Sequence, residues 1–512
     1  MVLNRRLAVL LAAAVVVALG LTRLGTGASG DRDPSPRPME FVTVEAGTAQ
    51  RSVPYGFLGL SIEYPALERY AGSDPAALDP VFEQLVRNLA PGQAPVLRIG
   101  GDSADRTWRP SSAVPQPPGV TFAITNHWLA VARALVGALR ARLIVDLNLE
   151  AGSPRLAAAE AGALIDGVGR GAIRALELGN EPDLYASFPW YRTDGGHLVT
   201  GRPPNYDMSA LIGDFTSFAS ALPPLPLAGP SLGAPQWTRQ LGRFLADEPR
   251  IRLVTLHRYP LQLCYTPRSS ARYPALQRLL VPASSIGMAD SFARNVAIAR
   301  ARGLTVRVDE LNTVSCGAVP AVSQTFASAL WALNTLFEMV RVGIHGVNIH
   351  TFPGAGYQLF RISHPGGQWQ ATIAPEYYGL MLFAQAAPAG SVLLNVNRAV
   401  EGTMRTWATR ARDGTIRVLA INQGAGRRLL SVRVAGARSI RASLVRLTAP
   451  GVRAHGGVTL GGQSFGSRTV TGVLAGHPEV AQVRPVGGLY AVMMPPASAA
   501  MLVLPAPVAG SA

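Results

Sequence analysis

Two stretches of this chain place a glutamate at the end of an apolar run: Leu176-Glu177-Leu178-Gly179-Asn180-Glu181-Pro182 and Val306-Arg307-Val308-Asp309-Glu310-Leu311-Asn312. Two carboxylates facing each other across a cleft are the machinery of glycosidic-bond cleavage. One stays protonated to assist the leaving oxygen, and the other is ionised to attack the anomeric carbon or activate a water. Glu181 suits the acid/base, because the adjoining Asn180 offers an amide to a sugar hydroxyl. Glu310 suits the nucleophile, with Tyr259 of His257-Arg258-Tyr259 placed to hydrogen-bond it. A retaining mechanism requires the two carboxyls about 5–5.5 Å apart. Plainer roles exist for several residues. Glu181 could serve a helix start beside Pro182. His257 could be a core histidine or a support for Tyr259. Asp146 and Asn148 could line the cleft or cap a helix, while Glu177, Asp309 and Asn312 read as supporting polar groups.

The elements that must position these residues follow from hydrophobic period. Strand-like runs occur at Gly56–Ile62, Pro95–Ile99, Leu143–Leu147, Ile173–Leu178, Leu225–Pro230, Ile251–Leu256, Leu304–Val308 and Ile344–Ile349. Helix-patterned segments lie between them. In His127–Leu139 the residues Leu129, Ala132, Leu135, Val136 and Leu139 share a face, and in Thr325–Val340 Leu330, Leu333, Leu336 and Phe337 recur at helical spacing. Alternating strands and helices predict parallel pairing, and this number of units predicts a closed (β/α)₈ barrel over 55–387, with its site at the C-terminal strand ends. No glycine-rich phosphate turn follows the first strand. From 388 to 508 short alternating runs with Gly, Asp and Pro, including an Asp413-Gly414 turn, predict an all-β sandwich. The alternating segment 40–54 precedes the first barrel strand and is expected to add to that β-domain.

Bulk properties exclude several chemistries. The chain has 512 residues and a formal net charge of +16, and every one of its 47 basic residues is arginine. Without lysine there is no Schiff-base, phosphate-loop or serine–lysine chemistry. The arginines are scattered, with no basic run suited to nucleic acid. Residues 1–30 read as a signal peptide or an N-terminal anchor: Arg5 and Arg6 lead an apolar run from Leu7 to Leu21, followed by small residues. That run is shorter than the roughly 20 residues of a membrane span, so a secreted or extracytoplasmic protein is expected, with a polar linker at 31–39. The chain's two cysteines, Cys264 and Cys316, fall on neighbouring loops of the expected barrel, where export favours a disulfide over two free thiols. Neither belongs to a His/Cys cluster, and no metal or cofactor is expected.

Four segments then carry a resemblance. Leu97-Arg98-Ile99-Gly100-Gly101-Asp102-Ser103, Leu178-Gly179-Asn180-Glu181-Pro182-Asp183, Val308-Asp309-Glu310-Leu311-Asn312 and Val347-Asn348-Ile349-His350-Thr351-Phe352 resemble glycoside hydrolase family 79, which contains β-glucuronidases and heparanase. Pro375-Glu376-Tyr377-Tyr378-Gly379-Leu380 adds to the match, which covers nearly all of the chain after its first segment. The resemblance implies a retaining hydrolase acting on a uronic-acid carbohydrate or glucuronide conjugate. It implies that the sugar carboxylate meets backbone amide at Gly317 and the hydroxyl of Tyr357, and that Glu63 and Asp102 hold sugar hydroxyls. Ser315 departs from the aromatic residue of some bacterial members. Two other enzyme readings share the machinery: a neutral-sugar β-glycosidase and an endo-acting glycosaminoglycan hydrolase. A non-catalytic carbohydrate-binding surface protein is the reading from another class.

Overall fold

The computed structural model describes residues 39–111, 114–398, 404–435 and 440–506. Residues 1–30, expected to be a signal peptide or an anchor, and all of the expected linker but Met39 lie outside the described residues, as do the last two positions of the expected β-domain. No helix among the described residues is long and apolar enough to cross a membrane.

Eight parallel strands close into a barrel: Leu58–Ile62, Val96–Ile99, Arg142–Leu147, Ile173–Leu178, Leu227–Leu232, Ile251–Arg258, Thr305–Leu311 and Gly346–His350. The fourth strand closes the ring on the fifth. Four strands run further than the apolar pattern indicates. The fifth reaches Leu232, the sixth Arg258, the seventh Leu311 and the eighth His350, because pairing continues through Leu232↔Leu256, through His257↔Glu310 and Arg258↔Leu311 past a register shift, and through His350↔Ser61. Several chemistry-bearing residues therefore sit on rigid strand rather than on the loops beyond it.

The helices form the outer layer. Asn126–Leu139 starts at Thr125, whose side chain accepts from the Trp128 N–H, and it buries Leu129, Ala132, Leu135, Val136 and Leu139. Phe326–Val342 is buried on nearly every face, a state that requires cover on its outer side as well. The β-domain supplies that cover. Trp407 stacks on Phe337 at 5.4 Å and donates its indole N–H to Asn334 at 3.0 Å.

The β-domain is hydrogen-bonded as one ten-stranded sheet. Strands near its two ends, Ala442–Thr448 and Leu489–Met494, both contribute to one apolar core, so the sheet folds over on itself as a sandwich. Met39–Ser52 pairs antiparallel with Val392–Arg398 and parallel with Arg428–Ala435.

Candidate active site

The C-terminal ends of the barrel strands open on a cleft of about 630 Å³. Glu63, Asp102, Asn180, Glu181, Tyr259, Glu310, Gly317 and Tyr357 all line it, so every substrate and catalytic position expected from the sequence is drawn to one place.

At its floor lies Arg98, fully buried on the second strand. Its guanidinium bonds Glu310 Oε2 at 2.8 Å, Glu177 Oε2 at 2.7 Å and Asp146 Oδ2 at 2.8 Å, and Asp309 lies 3.8 Å away. One fixed cation thus faces carboxyls from strands three, four and seven. It also donates to Asn180 Oδ1 at 3.0 Å, which turns the Asn180 amide N–H towards Asp102 at 3.1 Å. Asp146 is therefore neither a cleft wall nor a cap: it is wholly buried beneath Arg98. Burial alone would favour the neutral form of each of these acids. Burial and the charge of Glu177 push the Asp309 carboxyl up. In Glu177 the neighbouring Arg98 overrules burial and holds the carboxylate ionised.

Glu310 is the most firmly ionised acid in the cleft. Burial opposes its charge, but His350, His257 and Arg98, with a 2.8 Å hydrogen bond from Tyr259, hold its pKa at about 2. Both carboxylate oxygens are thereby fixed, one by Tyr259 and one by Arg98.

Glu181 is held more loosely. The backbone turns left-handed at Glu181 (φ 49°) as the fourth strand ends, and its N–H is bonded to the Ser231 carbonyl at 3.1 Å. Its carboxyl makes no capping bond to the short helix Pro182–Leu184, which removes the helix-start role. Instead Oε1 meets His257 Nδ1 at 3.2 Å, while Ser231 takes His257 Nε2 at 2.9 Å. His257 supports Glu181 rather than Tyr259, because the strand-six register turns its ring towards strand four. Gly233 leaves the carboxyl room, since a Cβ there would stand 2.7 Å from Glu181 Oε1.

Glu63 accepts from the Ser103 N–H at 2.8 Å and faces His350 Nε2 at 3.4 Å. Gly101 (φ 86°) lets it approach, because a Cβ there would fall 2.4 Å from Glu63 Oε1. Asp102 opens on the cleft, yet desolvation and the charges of Glu63, Glu310 and Glu181 push its carboxyl up to about 7. Tyr357 packs against Tyr259 with ring centroids 6.1 Å apart. Cys264 and Cys316 are joined in a disulfide with Cα atoms 5.8 Å apart. The bond pins the loop in which Cys316, Gly317 and Ala318 all take positive φ. His350 and Arg98, which with His257 hold Glu310 ionised, were not singled out from the sequence as site residues. The available signal was an arginine inside the otherwise apolar second strand and a histidine at the end of the eighth.

Ligand-type atoms of Glu181, His257 and Glu310 lie within 4.8 Å of one another, as do those of Glu177, His257 and Asp309. Either trio offers residue types a metal accepts, but the Arg98 guanidinium already spends its charge on Glu310 and Glu177. A fixed cation bonded to the donor oxygens makes a poor partner for a second one. The set fits proton handling: one carboxylate held charged, another within 4.8 Å of it, open to the cleft beside a histidine.

No protein-family model matches this sequence, and no curated protein matches it. Solved structures do. A 4-O-α-L-rhamnosyl-β-D-glucuronidase from Fusarium oxysporum, in complex with Rha-GlcA, superposes with a TM-score of 0.71 at 18% identity, covering 90% of this chain and 100% of its own. A family 51 arabinofuranosidase from Xanthomonas axonopodis pv. citri gives 0.65 at 16%, covering 91% and 99%. The α-L-arabinofuranosidase of Thermotoga maritima gives 0.63 at 14%, covering 91% and 100%. At such identities the likeness is one of fold: a (β/α)₈ barrel with an attached β-domain.

Proposed function

We propose that this protein is an exported retaining glycoside hydrolase of the family 79 type, releasing a terminal β-glucuronic acid by double displacement. Glu310 attacks the anomeric carbon, and Glu181 protonates the leaving oxygen and then deprotonates the incoming water. The observation that carries this reading is the approach of the two carboxyls to within 4.8 Å, with Glu310 pinned in its charged form. A nucleophile must be ionised before substrate arrives, and the arginine–tyrosine–histidine shell provides that. Asn180 and Asp102 face the sugar hydroxyls from the ends of the fourth and second strands, and Glu63 from the first.

The uronate part rests on Gly317 and Tyr357, which line the same cleft as Glu310, and on a glucuronidase among the structures of like fold. Arabinofuranosidases of the same fold, and Ser315 on the cleft wall, favour a neutral sugar as the second reading. A panel of aryl glucuronide, glucoside, xyloside and arabinofuranoside separates the two, with proton NMR identifying the first anomer released. The β-glucuronide is expected to be the best substrate, yielding β-glucuronic acid first. A preference for an uncharged sugar would defeat the uronate claim and leave the mechanism standing. Glu310→Gln is expected to lower kcat by about four orders of magnitude or more. Glu181→Ala should lose about 10²–10⁴-fold on poor leaving groups and little on a dinitrophenolate. Ordinary activity in both variants would end the assignment.

A further inference from the structure

Three arginines are buried among the described residues: Arg98, Arg258 and Arg307. Two have every guanidinium nitrogen hydrogen-bonded. Arg98 faces its acids, and Arg307 bonds Asn348 and the carbonyls of Gly56, Phe57 and Val347. Arg258 is built differently. Only 9% exposed, it ends the sixth strand with its guanidinium over the Phe292 ring, 5.3 Å from the centroid. Its Nε has no hydrogen-bond partner, and no carboxylate forms an ion pair with it among the described residues.

The neighbouring groups do not supply a counter-ion. Asp183 is one of the nearest acids, but its oxygens accept the Ala234 and Gly233 N–H groups at 2.6 and 3.3 Å. Burial and Glu181 push that carboxyl up to about 7. The nearest cation makes matters worse. Arg272 lines the same wall, and its one side-chain bond goes to the Tyr259 carbonyl at 3.3 Å. Burial and Arg272 together lower the Arg258 pKa to about 10, so it remains charged at neutral pH. A buried, unpaired guanidinium is costly, and here it opens on a cleft whose other ionisable lining is mostly acidic.

From this placement we infer that Arg258 and Arg272 form a subsite for an anionic oxygen group, a carboxylate or a sulfate ester, carried by the leaving-group half of the substrate. The inference rests on the glycosidase reading above, because that reading makes Glu181 the proton donor to the leaving oxygen. Arg258 stands on the Glu181 side of the cleft, with Asp183 and Glu181 as the acids that act on it. A group reaching it must therefore lie beyond the scissile oxygen. A planar guanidinium fits either oxyanion through paired N–H bonds, and the Phe292 ring packs against it with its centroid 5.3 Å away.

The test fixes the glycon at whichever sugar the chromogenic panel shows to be best. It then varies the aryl leaving group among carboxylate, sulfate ester and neutral carboxamide, matched in phenol acidity. Wild type is expected to favour the better anionic group by about tenfold in kcat/KM, carried by KM. The larger of the two ratios identifies the oxyanion. Arg258→Met, which keeps the contact with Phe292, should erase the preference while leaving the carboxamide substrate within about twofold. Arg258→Lys should restore part of it, and Arg272→Gln, at an exposed position, should halve it or more. Equal rates on charged and neutral leaving groups, or a preference that survives Arg258→Met, would overturn the subsite while the glycosidase stands. Should no sugar be turned over, the glycosidase reading falls. Calorimetry with benzoate and phenyl sulfate then decides the site: binding lost in Arg258→Met supports it, and equal or absent binding ends it.

Discussion

Two groups of buried acids lie under one cleft and are kept there by opposite means. Around Arg98, the acids Glu310, Glu177, Asp146 and Asp309 gather on a cation. On the side of the third strand, Asp105 and Glu160 are buried with no arginine among the described residues bonded to them. Asp105 accepts the N–H groups of Leu149, Glu150 and Asn180 at 3.0–3.1 Å and the Tyr185 hydroxyl at 2.6 Å. Glu160 accepts the Asn148 N–H at 3.0 Å and meets Thr107 Oγ1 at 2.6 Å. The first group buys a carboxylate that stays charged while desolvated. In the second group burial pushes both carboxyls up, against four donors at Asp105 and against Thr107 and the Asn148 N–H at Glu160, and the group shapes the backbone that carries Asn180. Chemistry needs the first arrangement and scaffolding can use the second.

The comparison breaks most severely at Arg98. Arg98→Met leaves Glu177, Glu310 and Asp146 without their cation, and removing one partner of a buried ion pair costs about 3–5 kcal/mol. Urea unfolding should show a loss of that size. Adding Glu177→Gln in the Met background should recover part of it, because one uncompensated charge is then gone. A loss below about 1 kcal/mol would mean that the cluster stands without its cation.

Much of this arrangement was legible along the chain. The eight apolar runs located the barrel, and the rule that sites lie at strand ends picked out Glu181 and Glu310. Arg98 stayed hidden inside Leu97-Arg98-Ile99. An arginine in a short strand gives no sign of which way it points, and its partners come from three other strands. Asp146 misled for the same reason. Arg258 was obscured by the register shift between Leu256 and His257, which disturbs the alternation a reader would use to assign faces. In the β-domain the runs themselves were plain. That Met39–Ser52 inserts between two strands more than 300 residues later could not be read from local pattern, since pairing partners are chosen by tertiary packing.

A gentler change sharpens the contrast. Tyr259→Phe keeps the ring and removes the hydroxyl bonded to Glu310. That bond lowers the pKa of Glu310, so its loss raises it. In the proposed mechanism Glu310 works as an anion, which exists above its pKa and vanishes as pH falls through it. The acidic limb of the pH–rate profile should therefore move upward, with kcat at neutral pH down by about tenfold. A lower kcat with an unmoved acidic limb would show Tyr259 touching only the sugar.

The smallest expected effect tests the proton-bearing group. The Thr107 hydroxyl sits 2.7 Å from the Ala104 carbonyl and 2.6 Å from Glu160 Oε1, yet it has one proton to give. Both contacts are satisfied if Thr107 donates to Ala104 and a protonated Glu160 donates to Thr107. Burial accordingly pushes Glu160 up from 4.5 to about 8. A carboxyl whose pKa is higher folded than unfolded lends stability that is complete below the unfolded value and is lost as pH rises through the folded one. Glu160→Gln supplies the same acceptor and donor with no charge to lose. Near pH 5 the variant should lie within about 1 kcal/mol of wild type. It should then gain on wild type steadily up to about pH 8 in urea melts, with turnover unchanged. Parallel stability curves across that window would mean that Glu160 is charged in the folded protein, and that the two groups of acids are held by the same means after all.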